Sequence, residues 1–109
     1  MESLKKNKEF NRVYNNGKSY ATRNLVLYLL SASENDNNRY GLSVSKKIGN
    51  AVVRNKLKRR LRETIRELEK KYNFNSYDII FIARNPVVDL NYQEIRRDVE
   101  KLYKKAGLI

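Results

Sequence analysis

The stretch GNAVVRNKLKRRLRETIRELEKKY, residues 49–72, followed by YDIIFIAR at residues 77–84, decides the fold of this chain. In the first part, apolar side chains recur at helical spacing and form one stripe, which comprises Val53, Leu57, Leu61, Ile65, Leu68 and Tyr72. Because Asn50 can cap the first turn before this stripe, the pattern predicts one long helix over residues 51–72. The second part is β-rich and apolar, which predicts a central strand that Asn85 and Pro86 end.

Helix and strand patterns also occur before this unit. Residues 7–16 predict a short helix, with Asn7 as its cap and Gly17 in the left-handed position that ends it. Residues 20–31 alternate with both faces apolar, which is typical of strand structure. Residues 40–44 alternate again after the polar turn SENDNN, so the pattern favours a hairpin.

A last helix is predicted near the C-terminus. Asn91, with Glu94 three residues later, predicts its capped start, and Gly107 lies past its end. Its inward residues are predicted to be Ile95, Val99, Leu102 and Tyr103. The predicted order of elements is α-β-β-β-α-β-α, and no repeat, low-complexity tract or linker is evident. We therefore expect a single compact α+β domain over residues 1–109.

The composition restricts the classes of function. The chain has 109 residues with 24 Lys and Arg against 12 Asp and Glu, a net charge of +12, and it contains neither Cys nor His. The lack of Cys and His excludes thiolate chemistry, imidazole bases and the usual zinc ligands, which disfavours an autonomous enzyme. The charge favours a polyanionic partner, namely nucleic acid, an anionic membrane surface or an acidic protein. No signal-peptide-like or membrane-spanning run is evident, so we expect a soluble, cytoplasmic protein.

The positive charge is concentrated in one segment. Residues 46–62 carry eight cations and no anion, whereas Glu63, Glu67 and Glu69 occur only in the second half of the long helix. At about 100° per residue, one arc of that helix beside the apolar stripe holds Asn55, Lys58, Arg59, Arg62 and Arg66. Crowded like charges destabilise an isolated helix, and a phosphate backbone would offset this. The alternative is an ordinary solvated face, but the segregation of charge favours a binding surface.

A resemblance to a known family rests on this same segment. GLSVSKKIGNAVVRNKLKRRLRE, residues 41–63, resembles the signature of the bacterial ribonuclease P protein family, in which a basic Arg-Asn-Arg-type stretch follows a Gly-Asn-Ala-Val turn. The early aromatic helix, the Arg23–Asn24 and Leu27–Tyr28 region, YDIIFIAR and the final helix are similar too. Lys56 departs from the pattern, which commonly has Arg at this position. Lysine keeps the positive charge but lacks the planar guanidinium group that donates bidentate hydrogen bonds. Tyr14 stands where Phe is frequent.

The resemblance implies a fold and a function. The implied fold is like domain 2 of ribosomal protein S5, with a left-handed βαβ crossover, although right-handed crossovers are the general rule. The implied function is that of a subunit of a ribonucleoprotein endonuclease that removes the 5′ leader from precursor tRNA. The implied chemistry uses Mg²⁺ held mainly by the catalytic RNA subunit, with no catalytic residue and no tightly bound metal on the protein, which alone is inactive. The implied partners are that RNA and precursor tRNA, with no membrane and no obligatory protein partner.

The resemblance also implies two sets of site residues. The set that binds the RNA subunit comprises Lys46, Lys47, Arg54, Asn55, Lys56, Lys58, Arg59 and Arg62. The set that binds the single-stranded leader, in a cleft between the first helix and the sheet, comprises Phe10, Tyr14, Arg23 and Tyr28. Aromatic side chains stack on unpaired bases of any sequence. From the sequence alone, a place in the core is the alternative for each aromatic residue, and for Phe10 and Tyr28 it fits equally well.

Three other functions remain open at this point. A ribosomal or other structural RNA-binding protein of the same fold would be as basic but would not need an aromatic cleft. A DNA-binding module would place the long helix in a major groove, yet neither a helix-turn-helix pattern nor a dimerisation element is evident. An autonomous nuclease is disfavoured by the missing catalytic side chains.

Overall fold

In the computed structural model, which describes residues 2–109, five strands and three helices follow one another along the chain. The strands are β1 (Glu2–Ser3), β2 (Lys18–Ala21), β3 (Leu25–Ser31), β4 (Arg39–Ser43) and β5 (Tyr77–Ala83). The helices are α1 (Asn7–Asn16), α2 (Ala51–Lys71) and α3 (Tyr92–Lys105). Short 3-10 turns at Lys46–Ile48 and Asn85–Asp89 precede α2 and α3. The predicted α+β class is confirmed, and the predicted order follows the two-residue β1, with the segment predicted over residues 20–31 divided between β2 and β3.

The strands form one mixed sheet in the order β1-β4-β5-β3-β2. β5 lies in the middle, parallel to β4 and antiparallel to β3, so the prediction of a central strand is confirmed. The predicted hairpin between residues 20–31 and 40–44 is wrong, because β5 separates these segments. β5 is buried on both faces and is best placed where both of its edges are paired. The hairpin instead joins β2 and β3, over residues 18–31, through a turn at Thr22–Asn24.

The two faces of the sheet are covered differently. α2 and α3 pack on one face over the larger core, which includes Leu27, Phe81 and Tyr103. On the other face, α1 packs through Val13 against Ile80 of β5. This helix has only 10 residues and leaves neighbouring side chains of that face partly exposed. One face is therefore closed, and the other is half-open.

The long helix connects two neighbouring strands. β4 and β5 are parallel and adjacent, and α2 crosses over the sheet between them. The βαβ unit implied by the resemblance is thus present. Its left hand stays a prediction.

The helix caps differ in part from those predicted. Asn50 Oδ1 accepts a hydrogen bond from Val53 N at 3.0 Å, and Asn91 Oδ1 accepts one from Glu94 N at 2.9 Å, so both predicted caps are confirmed. Asn7 as the cap of α1 is wrong, because the helix is capped one residue earlier. There the Glu9 carboxylate accepts hydrogen bonds from the backbone of Lys5 and Lys6, each at 2.9 Å. A side chain of the first turn therefore replaces the expected Asn.

The glycine after α1 has a different purpose from the one predicted. Gly17 has φ −83°, so the left-handed position predicted for it is wrong. A Cβ there would lie 2.7 Å from the carbonyl oxygens of Val13 and Leu29, and only glycine permits this close approach of helix and strand. Gly107 after α3 does take the left-handed conformation, with φ +75°.

The start of α2 projects beyond the core. Val53, predicted on the inward stripe, is 38% exposed, so its predicted burial is wrong. From Leu57 onward, the predicted stripe is buried through Leu68. The first turn follows the 3-10 segment Lys46–Ile48, and Val53 there lines a shallow pocket with Val87 and Val88 of the 3-10 segment before α3.

An ion-pair cluster ties α1 to the sheet. Arg39 on β4 donates to both carboxylate oxygens of the buried Asp78 on β5, at 2.9 and 2.7 Å, and to Glu9 on α1 at 2.9 Å. Hydrogen bonds from the backbone of Lys6 and Lys5 hold the pKa of Glu9 below its usual value, and Arg39 adds to this. The cluster therefore sets where α1 lies over the half-open face.

Candidate nucleic-acid interface

Three aromatic side chains lie together at the border between α1 and the half-open face. The Tyr14 and Tyr28 rings meet edge to face with centroids 5.0 Å apart, and the Phe10 and Tyr14 centroids are 6.4 Å apart. All three rings are partly exposed. Burial raises the pKa of Tyr14 above the ordinary value for a phenol. The structure thus brings together three of the four residues predicted to bind the leader.

The half-open face continues beyond the aromatic rings. By the alternation of the strands, Val26 and Ile82 lie on the same face as Tyr28, and Ser43 of β4 pairs beside Ile82. These side chains are partly exposed. We call Val26, Tyr28, Ser43 and Ile82 the open sheet face. Val26, Ser43 and Ile82 are absent from the predicted set, although Val26 could have been found from its position two residues before Tyr28.

A glycine lets the Phe10 ring approach the sheet. A Cβ at Gly41 would lie 2.6 and 2.7 Å from two carbon atoms of the Phe10 ring, so the ring occupies the space of the missing side chain. This contact holds one aromatic ring of the cluster in place.

We expect Gly41→Ala to lower the free energy of unfolding by about 1–3 kcal/mol, because the new methyl group overlaps the Phe10 ring. Urea unfolding of the protein measures this loss. In a Phe10→Ala background the same substitution should cost clearly less, since the overlapping ring is gone. An equal cost in both backgrounds would place the strain elsewhere.

The predicted basic surface is exposed and lacks acidic partners. Asn55, Lys56, Arg59 and Arg62 of α2 are exposed, as are Lys46 and Lys47 before it, while Arg54 and Lys58 are partly exposed. Within residues 2–109, none of these side chains makes a salt bridge. The Nε of Arg54 is buried without a hydrogen-bond partner. The charge of this surface is therefore available to a polyanion.

The basic helix and the aromatic cluster meet at the edge of β4. β1 pairs with β4 only at Arg39 and Tyr40, so Leu42 is free of a neighbouring strand on that side in the described part of the chain. There a shallow pocket is lined by Phe10 from one face and by Lys58 and Arg62 of α2 from the other. One member of the predicted leader set and two members of the predicted RNA-subunit set thus line the same pocket.

The fourth residue of the leader set lies apart from the aromatic cluster. Arg23 is exposed in the β2–β3 turn, beyond Val26. The buried Asp98 of α3 holds this turn, accepting hydrogen bonds from Thr22 Oγ1 at 2.5 Å and Asn24 Nδ2 at 3.5 Å. Arg23 therefore stands at one end of the open sheet face.

The acidic side chains of residues 2–109 are not clustered. Over residues 2–109, no group of three or more carboxylates comes together. The two buried carboxylates are engaged, Asp78 by Arg39 and Asp98 by Thr22. In the same range, no helix is long and apolar enough to cross a membrane.

The fold and this surface define a class of RNA-binding protein, in which an aromatic sheet face and an uncompensated basic helix share one edge of an α+β domain. The family model described as Ribonuclease P matches residues 1–107. The chain belongs to the ribonuclease P protein family.

Relatives and solved structures agree with this assignment. The ribonuclease P protein component of Bacillus cereus strain Q1 is 45% identical over 105 residues, which cover 96% of this chain and 90% of that protein. The Staphylococcus aureus ribonuclease P protein structure has a TM-score of 0.89 at 42% identity, covering 99% of this chain and 97% of that one. The Thermotoga maritima protein has a TM-score of 0.85 at 28% identity, covering 96% and 97%. The function is that of a ribonuclease P protein subunit; a ribosomal or other structural RNA-binding role is not supported.

Proposed function

We propose that the open sheet face and its aromatic cluster bind the 5′ leader of precursor tRNA while α2 docks on the catalytic RNA subunit. The observation that carries this proposal is the free edge of β4, where Phe10 on one face meets Lys58 and Arg62 on the other. A protein with a purely structural role would have no need to leave three aromatic rings partly exposed beside unpaired cations.

The leader is recognised by stacking. Unpaired bases lie against Tyr28, Tyr14 and Phe10, whose uncharged rings accept any base. Val26 and Ile82 supply apolar surface beside them, and Arg23 at the end of the face contacts a phosphate. Mature tRNA has no leader to offer, so the same surface favours precursor over product.

The RNA subunit is held by charge. The cations of α2 and of the preceding 3-10 turn neutralise phosphates and release their counterions, which makes assembly dependent on salt. Lys56 supports this contact as a point charge without the fork of an arginine. Arg54, whose Nε is buried without a partner, contacts a phosphate through the terminal nitrogens of its guanidinium group.

The hydrolysis itself takes place on the RNA subunit. The chain has no Cys or His, and its buried carboxylates are already bonded. Mg²⁺ would be held mainly by the RNA subunit, where it would supply an activated water and stabilise the developing charge. The protein positions the leader and screens phosphates around the active site. We place this work in the cytoplasm, with the RNA subunit and precursor tRNA as its partners, because bacterial tRNA precursors are transcribed there.

We expect the protein alone to cleave nothing, and its addition to the RNA subunit to lower the Mg²⁺ concentration needed for cleavage. The physical reason is that cations on α2 relieve repulsion between phosphates, which metal ions would otherwise have to screen. Cleavage of precursor tRNA is measured with RNA alone, protein alone and both together over a Mg²⁺ titration.

Two outcomes of this assay would contradict parts of the proposal. Specific 5′ cleavage by protein alone, in a preparation free of contaminating nuclease, would move the chemistry from the RNA to the protein. An unchanged Mg²⁺ requirement would remove the screening role and leave leader binding as the protein's contribution.

A further inference from the structure

A second basic surface lies on α3, away from both predicted sites. Its exposed side chains lie within about 100° of helix circumference and extend over about 12 Å of helix. We call them the α3 stripe, which comprises Arg97, Lys101, Lys104 and Lys105. No salt bridge involves any of them within residues 2–109.

The α3 stripe is electrostatically separate from the basic surface of α2. The seam between the two helices contains acidic side chains that are bonded across it. Glu67 of α2 pairs with Arg96 of α3, and Glu100 of α3 bonds to Lys71 at 3.4 Å and to Tyr72 Oη at 2.7 Å. The α3 stripe is therefore not an extension of the surface that docks the RNA subunit.

The α3 stripe is instead continuous with the open sheet face, through the β2–β3 turn. Lys105 Nζ donates to the carbonyl of Ala21 at 2.8 Å, and Ala21 pairs with Val26 of the open sheet face. Arg84, which directly follows β5, donates to the carbonyl of Thr22 at 3.2 Å on the same turn. Together with the exposed Arg23, Arg84 and Lys105 place positive charge along the β2–β3 turn, between the open sheet face and α3.

We propose that the α3 stripe binds phosphates of the more distant part of the leader, after the RNA strand has left the open sheet face and crossed the β2–β3 turn. This inference rests on the proposed function of the open sheet face. The occupant is single-stranded RNA, because the path bends around a turn and a flexible strand can follow it. No aromatic side chain is part of the α3 stripe, so the contact is to the backbone and independent of base sequence.

The fixed position of the turn supports this path. Asp98 anchors Thr22 and Asn24, the residues on either side of Arg23, to the same helix that carries the α3 stripe. The turn and the α3 stripe therefore form one preorganised surface, and a leader that crosses the turn meets the α3 stripe without a rearrangement of the protein.

The test uses the assembled holoenzyme and two precursor tRNAs, with leaders of about 4 and about 12 nucleotides, a range typical of small single-strand-binding domains. The variant Arg97→Gln/Lys101→Gln/Lys104→Gln removes three charges and keeps Lys105, which bonds to the turn. We expect affinity for the long leader to fall about tenfold at low salt, with a salt slope lower by about 2, or about 0.7 for each phosphate contact. Affinity for the short leader should not change.

Lys70→Gln is the matched control for the single variant Lys101→Gln, which is measured beside the triple variant, since both are exposed helical lysines without an acidic partner in the described structure. It should alter neither affinity. An equal loss for both leader lengths would overturn the proposal and assign the α3 stripe to the tRNA body or the RNA subunit. No loss for the long leader would overturn it as well. Failure of the open sheet face is distinguishable, because the wild-type enzyme would then bind the short-leader precursor no better than mature tRNA.

Discussion

Tyr28→Ala should weaken the affinity of the holoenzyme for precursor tRNA by about 1–3 kcal/mol, roughly 5- to 150-fold, and leave its affinity for mature tRNA unchanged. The ring stands on the open sheet face and meets Tyr14 edge to face, so its loss removes one stacking surface. Replacing Phe10 and Tyr14 by leucine as well should remove most of the preference for precursor. Equilibrium binding of the two RNAs to the holoenzyme measures the effect.

Tyr20→Leu is the matched control for this prediction. Tyr20 is also a partly exposed strand tyrosine, but it packs on the opposite face, against the core under α2 and α3. Its replacement should alter both affinities equally or not at all. If wild-type holoenzyme bound precursor and mature tRNA equally, the leader-binding role of the aromatic cluster would be wrong.

Replacing Arg54, Lys58, Arg59 and Arg62 together by glutamine should weaken assembly of the protein with the RNA subunit. Each phosphate contact contributes about 0.7–0.9 to the slope of log K against log salt, so the slope should fall by about 3. Across a fourfold range of salt, this corresponds to a difference of about a hundredfold. Titration of the RNA subunit with protein at several salt concentrations gives the slope.

Folding must be separated from binding in this test. Lys58, Arg59 and Arg62 lie off the buried stripe of α2, so circular dichroism should stay native without them, whereas Arg54 is partly buried. The triple variant that retains Arg54 is therefore measured beside the quadruple one. If the variant is natively folded and its salt slope is unchanged, the basic side of α2 is an ordinary solvated helix face and not a binding surface.

Local patterns predicted the helices and the central strand, because each depends on a period or a cap within a short segment. The stripe from Leu57 to Leu68 and the caps Asn50 and Asn91 are of this kind. The strand order was not predictable in the same way, since the insertion of β5 between β3 and β4 depends on contacts between residues far apart in sequence. The β2–β3 turn lacks glycine and proline, the usual signals, so residues 20–31 resembled one uninterrupted segment.

The contacts of the candidate site also differ in whether local sequence spacing could predict them. Phe10 and Tyr14 share a helix face by spacing alone, and their proximity was predictable. The place of Ser43 beside Ile82 requires the parallel pairing of β4 with β5. The contact of the Phe10 ring with Gly41 depends on the position of α1 over the sheet, and the ion pairs of Arg39 with Glu9 and Asp78 tie α1 to that position. Such contacts become visible only in three dimensions.

The central position of β5 has a consequence for synthesis on the ribosome. β3 ends at residue 31 and β4 at residue 43, but neither has its shared neighbour until residues 77–83 have emerged. At about 5–20 residues per second, translation from the end of β3 to the end of β5 takes about 3–10 seconds. During this interval the nascent chain carries two apolar strands with unpaired edges, and α2 is complete before the sheet on which it packs. Folding of this domain is therefore a late event during synthesis, because a chain interrupted before Tyr77 has only the β2–β3 hairpin and the two-residue β1–β4 pair, with no strand between them to join the two.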